Sequence, residues 1–137
     1  MRFTLDTNIL VYALDFRAGE RHRIALDISR RIKGRDGVLT LQSLGELFRA
    51  LTGPKLRVPP AEAASIILEW RDVLPVVAAD ENCLVEAMDA VSSHGWSFWD
   101  AMILRSAKEL GCELLHSEDL STGQVYAGVS VSNPFAH

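Results

Sequence analysis

Cysteine, histidine and long apolar runs are scarce in this sequence, and each scarcity excludes a class of protein. The two cysteines, Cys83 and Cys112, have neither disulfide-framework nor redox-motif spacing, and no cluster of histidine and cysteine favours zinc. No apolar run approaches the ~20 residues of a membrane span, and the amino terminus lacks a signal peptide's basic start and small-residue cleavage site. We therefore expect a cytoplasmic protein with buried, reduced thiols and no membrane association.

Charge is unevenly distributed along the 137 residues, although the formal total is only −4. Residues 1–60 carry eleven Lys and Arg against six Asp and Glu, whereas residues 61–137 carry three against twelve. The basic excess is dense within 17–35, where the candidate RNA-binding side chains are Arg21, Arg23, Arg30, Arg31 and Lys33. Such a run forms either a solvated helix face or a surface for an extended anion or an acidic partner.

Short apolar segments alternate with helical patterns along the chain, whose length suits a single domain spanning 1–137. Strands are predicted at 3–5, 37–41, 74–77, 112–117 and 128–135. Helices are predicted from an N-cap at Thr7 or Asn8, and within 20–34, 43–51, 60–73, 80–95 and 97–111. Because no tight hairpin signal separates the strands, the pattern favours an α/β sandwich with parallel pairing.

Four acidic residues fall where predicted strands end or helices begin. Asp6 directly follows the first strand, and Asp119 lies just past the strand 112–117. Glu46 falls in the first turn of the helix after 37–41, and Asp100 in the first turn of the helix before 112–117. Because ligands of open parallel sheets bind beyond the carboxyl ends of the strands, we expect these four carboxylates to lie close together.

Clustered carboxylates need either raised pKa values or a bound cation, because two charges ~4 Å apart repel by about 4 kcal/mol at a typical effective dielectric. Oxygen-only ligands suit Mg²⁺ or Mn²⁺, and such a metal beside a basic segment suggests hydrolysis of a phosphodiester. Each acid also has a structural interpretation. Ser43 to Glu46 and Ser97 to Asp100 match the capping-box pattern, and Asp119 suits a turn. From spacing alone both interpretations stay open.

An aromatic group, Trp96, Phe98 and Trp99, precedes Asp100. Its rings either stack on unpaired bases or pack the helix onto the sheet, and packing by Phe98 or Trp99 is the favoured interpretation.

Four segments resemble, in this order, those of PIN domains, and in particular of the VapC-type toxins of bacterial and archaeal toxin–antitoxin systems. They are "LDTNILVYAL", "LQSLGELFRAL", "GWSFWDAMIL" and "LLHSEDLSTGQVYAGVSVSNPF". The resemblance implies a PIN-like three-layer sandwich with a central, mostly parallel sheet flanked by helices. It also implies an Mg²⁺- or Mn²⁺-dependent endoribonuclease, a homodimer, an RNA substrate and a cognate antitoxin as partner.

The resemblance also assigns roles to individual positions. The catalytic acids correspond to Asp6, Glu46, Asp100 and Asp119, of which Asp6, Asp100 and Asp119 are the expected metal ligands. Supporting roles fall on Thr7, Asn8 and Ser117, which follow the first acid or precede the last one.

Two rival functions have their own signatures. A receiver-like phosphoacceptor would need an adjacent acid pair near the first strand and a lysine after the last one, and the sequence has neither. A catalytically silent PIN-like module that binds RNA or protein is the remaining alternative, and the intact acids argue against it.

Overall fold

The computed structural model describes residues 1–32, 34–120, 125–126 and 128–136. Its strands are β1 Phe3–Leu5, β2 Leu39–Thr40, β3 Val76–Val77, β4 Leu114–His116, β5 Val125–Tyr126 and β6 Val129–Ser132. Its helices are α1 Thr7–Leu14, α2 Glu20–Arg31, α3 Leu41–Thr52, α4 Pro60–Val73, α5 Glu81–His94 and α6 Phe98–Glu109, with a 3₁₀ turn at Phe16–Ala18. Among the described residues no helix combines the length and apolar character needed to cross a bilayer.

The central sheet has the strand order β1-β4-β6-β5. β1 pairs in parallel with β4, and β4 in parallel with β6, so the carboxyl ends of these three strands share one edge. The short β5, which the sequence pattern did not predict, pairs antiparallel with β6. The mainly parallel sheet expected from the sequence is confirmed.

A second, two-stranded parallel sheet of β2 and β3 continues the first beyond β1. The link is a bridge between Phe3 and Gly37, supported by a bond of 3.0 Å from the Val38 N–H to the Phe3 carbonyl. A Cβ atom on Gly37 would lie 2.5 Å from Cζ of the Phe3 ring. A larger residue at position 37 would therefore clash with the Phe3 ring unless that ring moved.

Helices cover both faces of the sheet. The pleat of β4 directs Leu114 and Leu115 to opposite faces. Leu114 packs against a core built from β1 and from helices α1 to α4, whereas Leu115 packs in a core with α6 and β6. A third apolar cluster joins α5 to α6. The α/β fold, with its sheet between two helical layers, is thus confirmed.

Helix capping decides where the site residues fall, and two predicted starts were wrong. α1 begins at Thr7 because the Asp6 side chain is its N-cap, in place of Thr7 or Asn8. α3 begins at Leu41 because the Thr40 hydroxyl accepts the Ser43 N–H, so Ser43 is not a cap and Glu46 lies in the second turn. Asp80 caps α5, which ends at the left-handed Gly95, and the capping role that the sequence pattern gives Ser97 is confirmed.

Candidate active site

Asp6 stands where β1 ends, and the folded backbone holds it there. Its N–H donates to the carbonyl of His116 at 2.9 Å, which ties it to the end of β4. One carboxylate oxygen accepts the Thr7 N–H and the other accepts the Ser117 hydroxyl, each at 2.8 Å. The residue is only 8% exposed. Asp6 is therefore a buried acid whose two oxygens are oriented by donors from opposite ends of the chain.

Ser117 and Asn8 bring the loop that carries Asp119 to the same place. The buried Ser117 hydroxyl, which donates to Asp6, accepts the Asp119 N–H at 3.2 Å. Asn8 donates through Nδ2 to the Asp119 carboxylate at 3.2 Å and accepts the Glu118 N–H at 3.4 Å. The first turn of α1 thus holds both the backbone and the side chain of the loop after β4.

Glu46 joins this network from α3. The Thr7 hydroxyl donates to its Oε2 at 2.7 Å, and Gln42 donates through Nε2 to its Oε1 at 3.3 Å. The Ser43 hydroxyl donates to the Leu5 carbonyl at 3.3 Å and anchors α3 to β1. The sequence analysis missed Gln42, although its position four residues before Glu46 places both side chains on one helix face.

Asp100 is connected to the other acids less directly. It lies in the first turn of α6, half-buried, and its N–H donates to the capping Ser97 hydroxyl at 3.3 Å. Among the described residues its carboxylate has no hydrogen bond to Asp6, Glu46 or Asp119. The Trp99 carbonyl accepts a bond from Gln42 at 3.5 Å, which places the start of α6 beside α3.

Charge at this site is poorly compensated. Burial raises the pKa of Asp6 to about 6 from its ordinary 3.8, and the charges of Asp119 and Glu46 add to the rise, against the lowering effect of the bonds from Ser117 and Thr7. A cation would relieve this repulsion, and an oxygen-only donor set suits Mg²⁺ or Mn²⁺. The chemistry of the site therefore fits such an ion.

In the described part of the chain, one group of three side chains that could bind a metal has its donor atoms within 4.8 Å of one another. This group is Asp80, Cys83 and Glu109, and it lies apart from the four acids of the candidate active site. Asp80 caps α5 through the Cys83 N–H, and the Cys83 thiol donates to Glu109 at 2.6 Å. Glu109 lies nine residues after Asp100 on α6, or about 14 Å along the helix axis. Burial raises the pKa of Cys83 to about 11, so the thiol stays protonated at neutral pH. The other cysteine, Cys112, is also free and buried.

Most cations predicted to bind RNA do not contact the acids. Arg21 pairs with Glu118, the residue before Asp119, at 2.7 Å and not with one of the four acids. Arg23 and Arg31 pair instead within their own helix, with Glu20 and Asp27. Arg30 lines a separate pocket between α2 and α4, and Lys33 lies outside the described residues. RNA binding by this set stays a prediction.

A groove of about 880 Å³ opens beside Glu46 and was not predicted. Arg49 and Lys55 line it, and so does Trp99. The prediction that Phe98 or Trp99 packs the helix onto the sheet was wrong, because Phe98 packs in the cluster between α5 and α6 and Trp99 is 58% exposed. Arg49 follows Glu46 by three residues, and this helical spacing was the signal available in the sequence.

Comparison with known proteins identifies similar sequences and folds. The family model "PIN domain" matches residues 3–126. No curated protein sequence matches the chain. VapC20 of Mycobacterium tuberculosis, a toxin that cleaves the sarcin–ricin loop, is similar with a TM-score of 0.68 at 20% identity, covering 85% of this chain and 89% of that one.

Two complexes are similar over almost the full length of both chains. FitAcB from Neisseria gonorrhoeae gives a TM-score of 0.69 at 20% identity, with coverage of 97% and 98%. DNA-bound VapBC from Salmonella typhimurium gives 0.65 at 17% identity, with coverage of 98% of each chain. At such identities the likeness concerns the fold.

Proposed function

The chain belongs to the PIN-domain family, and we propose that it is a metal-dependent endoribonuclease that acts as the toxin of a toxin–antitoxin pair. The observation that carries the proposal is the hydrogen-bonded network linking Asp6, Glu46 and Asp119 through Thr7, Asn8 and Ser117. A buried carboxylate that neighbouring carboxylates repel lowers the stability of the fold. Its presence at the end of a strand therefore favours a functional role. The network therefore supports catalysis over a silent binding role.

In this proposal Asp6, Asp100 and Asp119 hold one or two Mg²⁺ or Mn²⁺ ions, directly or through water. A bound ion supplies Lewis-acid chemistry, by neutralising charge on the phosphate oxygens and making water a better nucleophile at neutral pH. Asp6 is oriented for this role by its two donors, and Asp119 by Asn8.

Glu46 is proposed to orient the attacking water and accept its proton. Donors from Thr7 and Gln42 fix both of its oxygens, and each oxygen retains a second lone pair for water. Because water is the nucleophile, the RNA 2′-hydroxyl is not needed. The expected products end in a 5′-phosphate and a 3′-hydroxyl.

Partners follow from the same assignment. The VapBC and FitAcB complexes support a cognate antitoxin as the inhibitor of this chain. Apolar side chains exposed on α4 and α5, including Leu68, Leu84 and Met88, support a homodimer that covers part of them.

The test is cleavage of a mixed RNA pool by the purified protein with Mn²⁺. Wild type and Asp72→Asn, which alters an exposed acid on α4, are expected to cleave equally. Asp6→Asn and Asp119→Asn are expected to lose at least about 100-fold in rate, as a lost electrostatic catalytic group does. Products ending in a 2′,3′-cyclic phosphate would contradict the route. RNA binding without cleavage by folded wild type, with either metal, would instead support the catalytically silent module.

A further inference from the structure

The groove beside Glu46 changes in chemistry along its length. One face of α3 forms a wall, from Gln42 through Glu46 to Arg49, which lies about 4.5 Å beyond Glu46 along the helix axis. Lys55 lies beyond the end of α3, and the remaining lining is mostly apolar. The groove therefore leads from the acid site to a basic end across an apolar surface.

Trp99 forms a wall of this groove and exposes its ring. Its backbone is fixed, because its carbonyl accepts a bond from Gln42, the same side chain that donates to Glu46. The ring packs edge-on against Phe98, with centroids 4.8 Å apart and planes at 68°. With an exposed fraction of 58%, this indole presents a flat apolar surface within one residue of Asp100.

At the basic end of the groove, positive charge is not neutralised by an acidic side chain of the described residues. Arg49 and Lys55 are both exposed. Within the described residues neither of them has an acidic partner at salt-bridge distance, in contrast to Arg21, Arg23 and Arg31. Two such cations in a groove that Glu46 also lines match a chain of phosphates that passes the acid site.

We propose that this groove binds the substrate as single-stranded RNA, with one unpaired base stacked on Trp99 and the adjoining phosphates held by Arg49 and Lys55. The proposal rests on the proposed function, which places the cleaved phosphate at the acids. A base in a duplex cannot present its face to a side chain, so stacking selects unpaired nucleotides. An acidic peptide would suit the two cations, but without an aromatic or guanidinium side chain it has no planar group to stack on the exposed indole.

The first experiment pairs a change in the RNA with a change in the protein. A short single-stranded RNA that wild type cleaves is made with one abasic nucleotide at each position around the cleavage point. At one of these positions the abasic nucleotide is expected to lower kcat/KM by about 5- to 150-fold, mainly by raising KM, as loss of base–aromatic stacking does. Trp99→Ala is expected to lower kcat/KM on the intact RNA by the same factor and to lose all sensitivity to that abasic position.

Val125→Ala is the matched control, because it removes another exposed apolar side chain, on β5 at the edge of the central sheet. It is expected to cleave like wild type and to keep the abasic sensitivity. Equal abasic sensitivity in Trp99→Ala and wild type would overturn the stacking assignment and leave the nuclease assignment intact.

The second experiment does not depend on cleavage. In EDTA, single-stranded RNA is expected to quench the tryptophan fluorescence of wild type, and a duplex of the same sequence to quench it far less. Trp99→Phe is expected to lose the quenching while Trp70 and Trp96 remain. If the protein shows this quenching but cuts no RNA, RNA binding in the groove is supported and the nuclease assignment is refuted. If it cuts RNA without quenching, the nuclease assignment is supported and RNA binding on Trp99 is refuted.

The third experiment tests the cations. For single strands the slope of log K against log salt changes by about 0.7 for each phosphate contact, so Arg49→Ala with Lys55→Ala is expected to reduce the slope by about 1.4. Arg71→Ala, an exposed cation on α4, is expected to leave it unchanged. An unchanged slope in the double variant, or a loss confined to binding of an acidic peptide, would overturn the proposal.

Discussion

Replacing Asp6 with asparagine is expected to stabilise the metal-free protein at neutral pH, although it removes a proposed catalytic acid. The side chain is 8% exposed, and its charge lies near those of Asp119 and Glu46. Asparagine keeps nearly the same shape and can still accept the Thr7 N–H. The substitution therefore removes the buried charge while leaving the packing of the site almost unchanged.

The magnitude follows from the pKa of Asp6, which burial raises from 3.8 to about 6. The folded protein keeps this proton to a higher pH than the unfolded chain does. Its contribution to stability is therefore fully present below pH 3.8 and is lost as the pH rises through about 6. At roughly 1.4 kcal/mol for each pH unit between the two pKa values, the loss amounts to about 3 kcal/mol.

The assay is urea unfolding in EDTA at about pH 4 and about pH 7.5, on either side of this window. Relative to wild type, Asp6→Asn is expected to gain up to about 3 kcal/mol between the two pH values. A constant cost from an altered hydrogen bond to Ser117 cancels in this difference. Asp72→Asn, at an exposed site, is expected to show no such gain. If the difference in unfolding free energy between Asp6→Asn and wild type is the same at both pH values, the charge of Asp6 does not destabilise the folded protein and the prediction is wrong.

Three further predictions concern metal binding and packing. Mn²⁺ at 100 times its Kd is expected to stabilise wild type by ~2.7 kcal/mol and Asp6→Asn by much less, measured by thermal unfolding. Ser117→Ala removes a donor to Asp6 and the acceptor of the Asp119 N–H, and is expected to cost about 1–3 kcal/mol in urea unfolding. Gly37→Ala places a Cβ against the Phe3 ring and is expected to cost about 1–3 kcal/mol, whereas Gly45→Ala, in open space on α3, is expected to gain up to about 1 kcal/mol. Equal effects of the two alanines would show that crowding against Phe3 is not the cause.

The order of strands and helices could be predicted because local patterns determine it. Short apolar runs mark the strands, and a parallel sheet places their carboxyl ends on one edge, which is why Asp6 and Asp119 were expected together. The α3 start was missed because Thr40, at the end of β2, caps the helix before Ser43 can. Which of two nearby residues caps a helix depends on where the preceding strand ends. The end of a two-residue strand is difficult to locate from the sequence.

The groove could not be predicted for a different reason. The exposure of Trp99 depends on how α6 is rotated against α3 and α5, and sequence spacing within one helix does not fix that rotation. Lys55 lies after the end of α3, so no helical spacing relates it to Glu46, whereas Arg49 has that signal. Contacts between elements distant in sequence decide these positions.

The bond between Ser117 and Asp6 joins residues 111 positions apart. At about 5–20 residues per second, a ribosome takes roughly 6 to 22 s to add that stretch. During this interval Asp6 has been synthesised, but the hydroxyl that orients it and the loop bearing Asp119 have not. The emerging polypeptide therefore carries no assembled centre until the ribosome has passed residue 119.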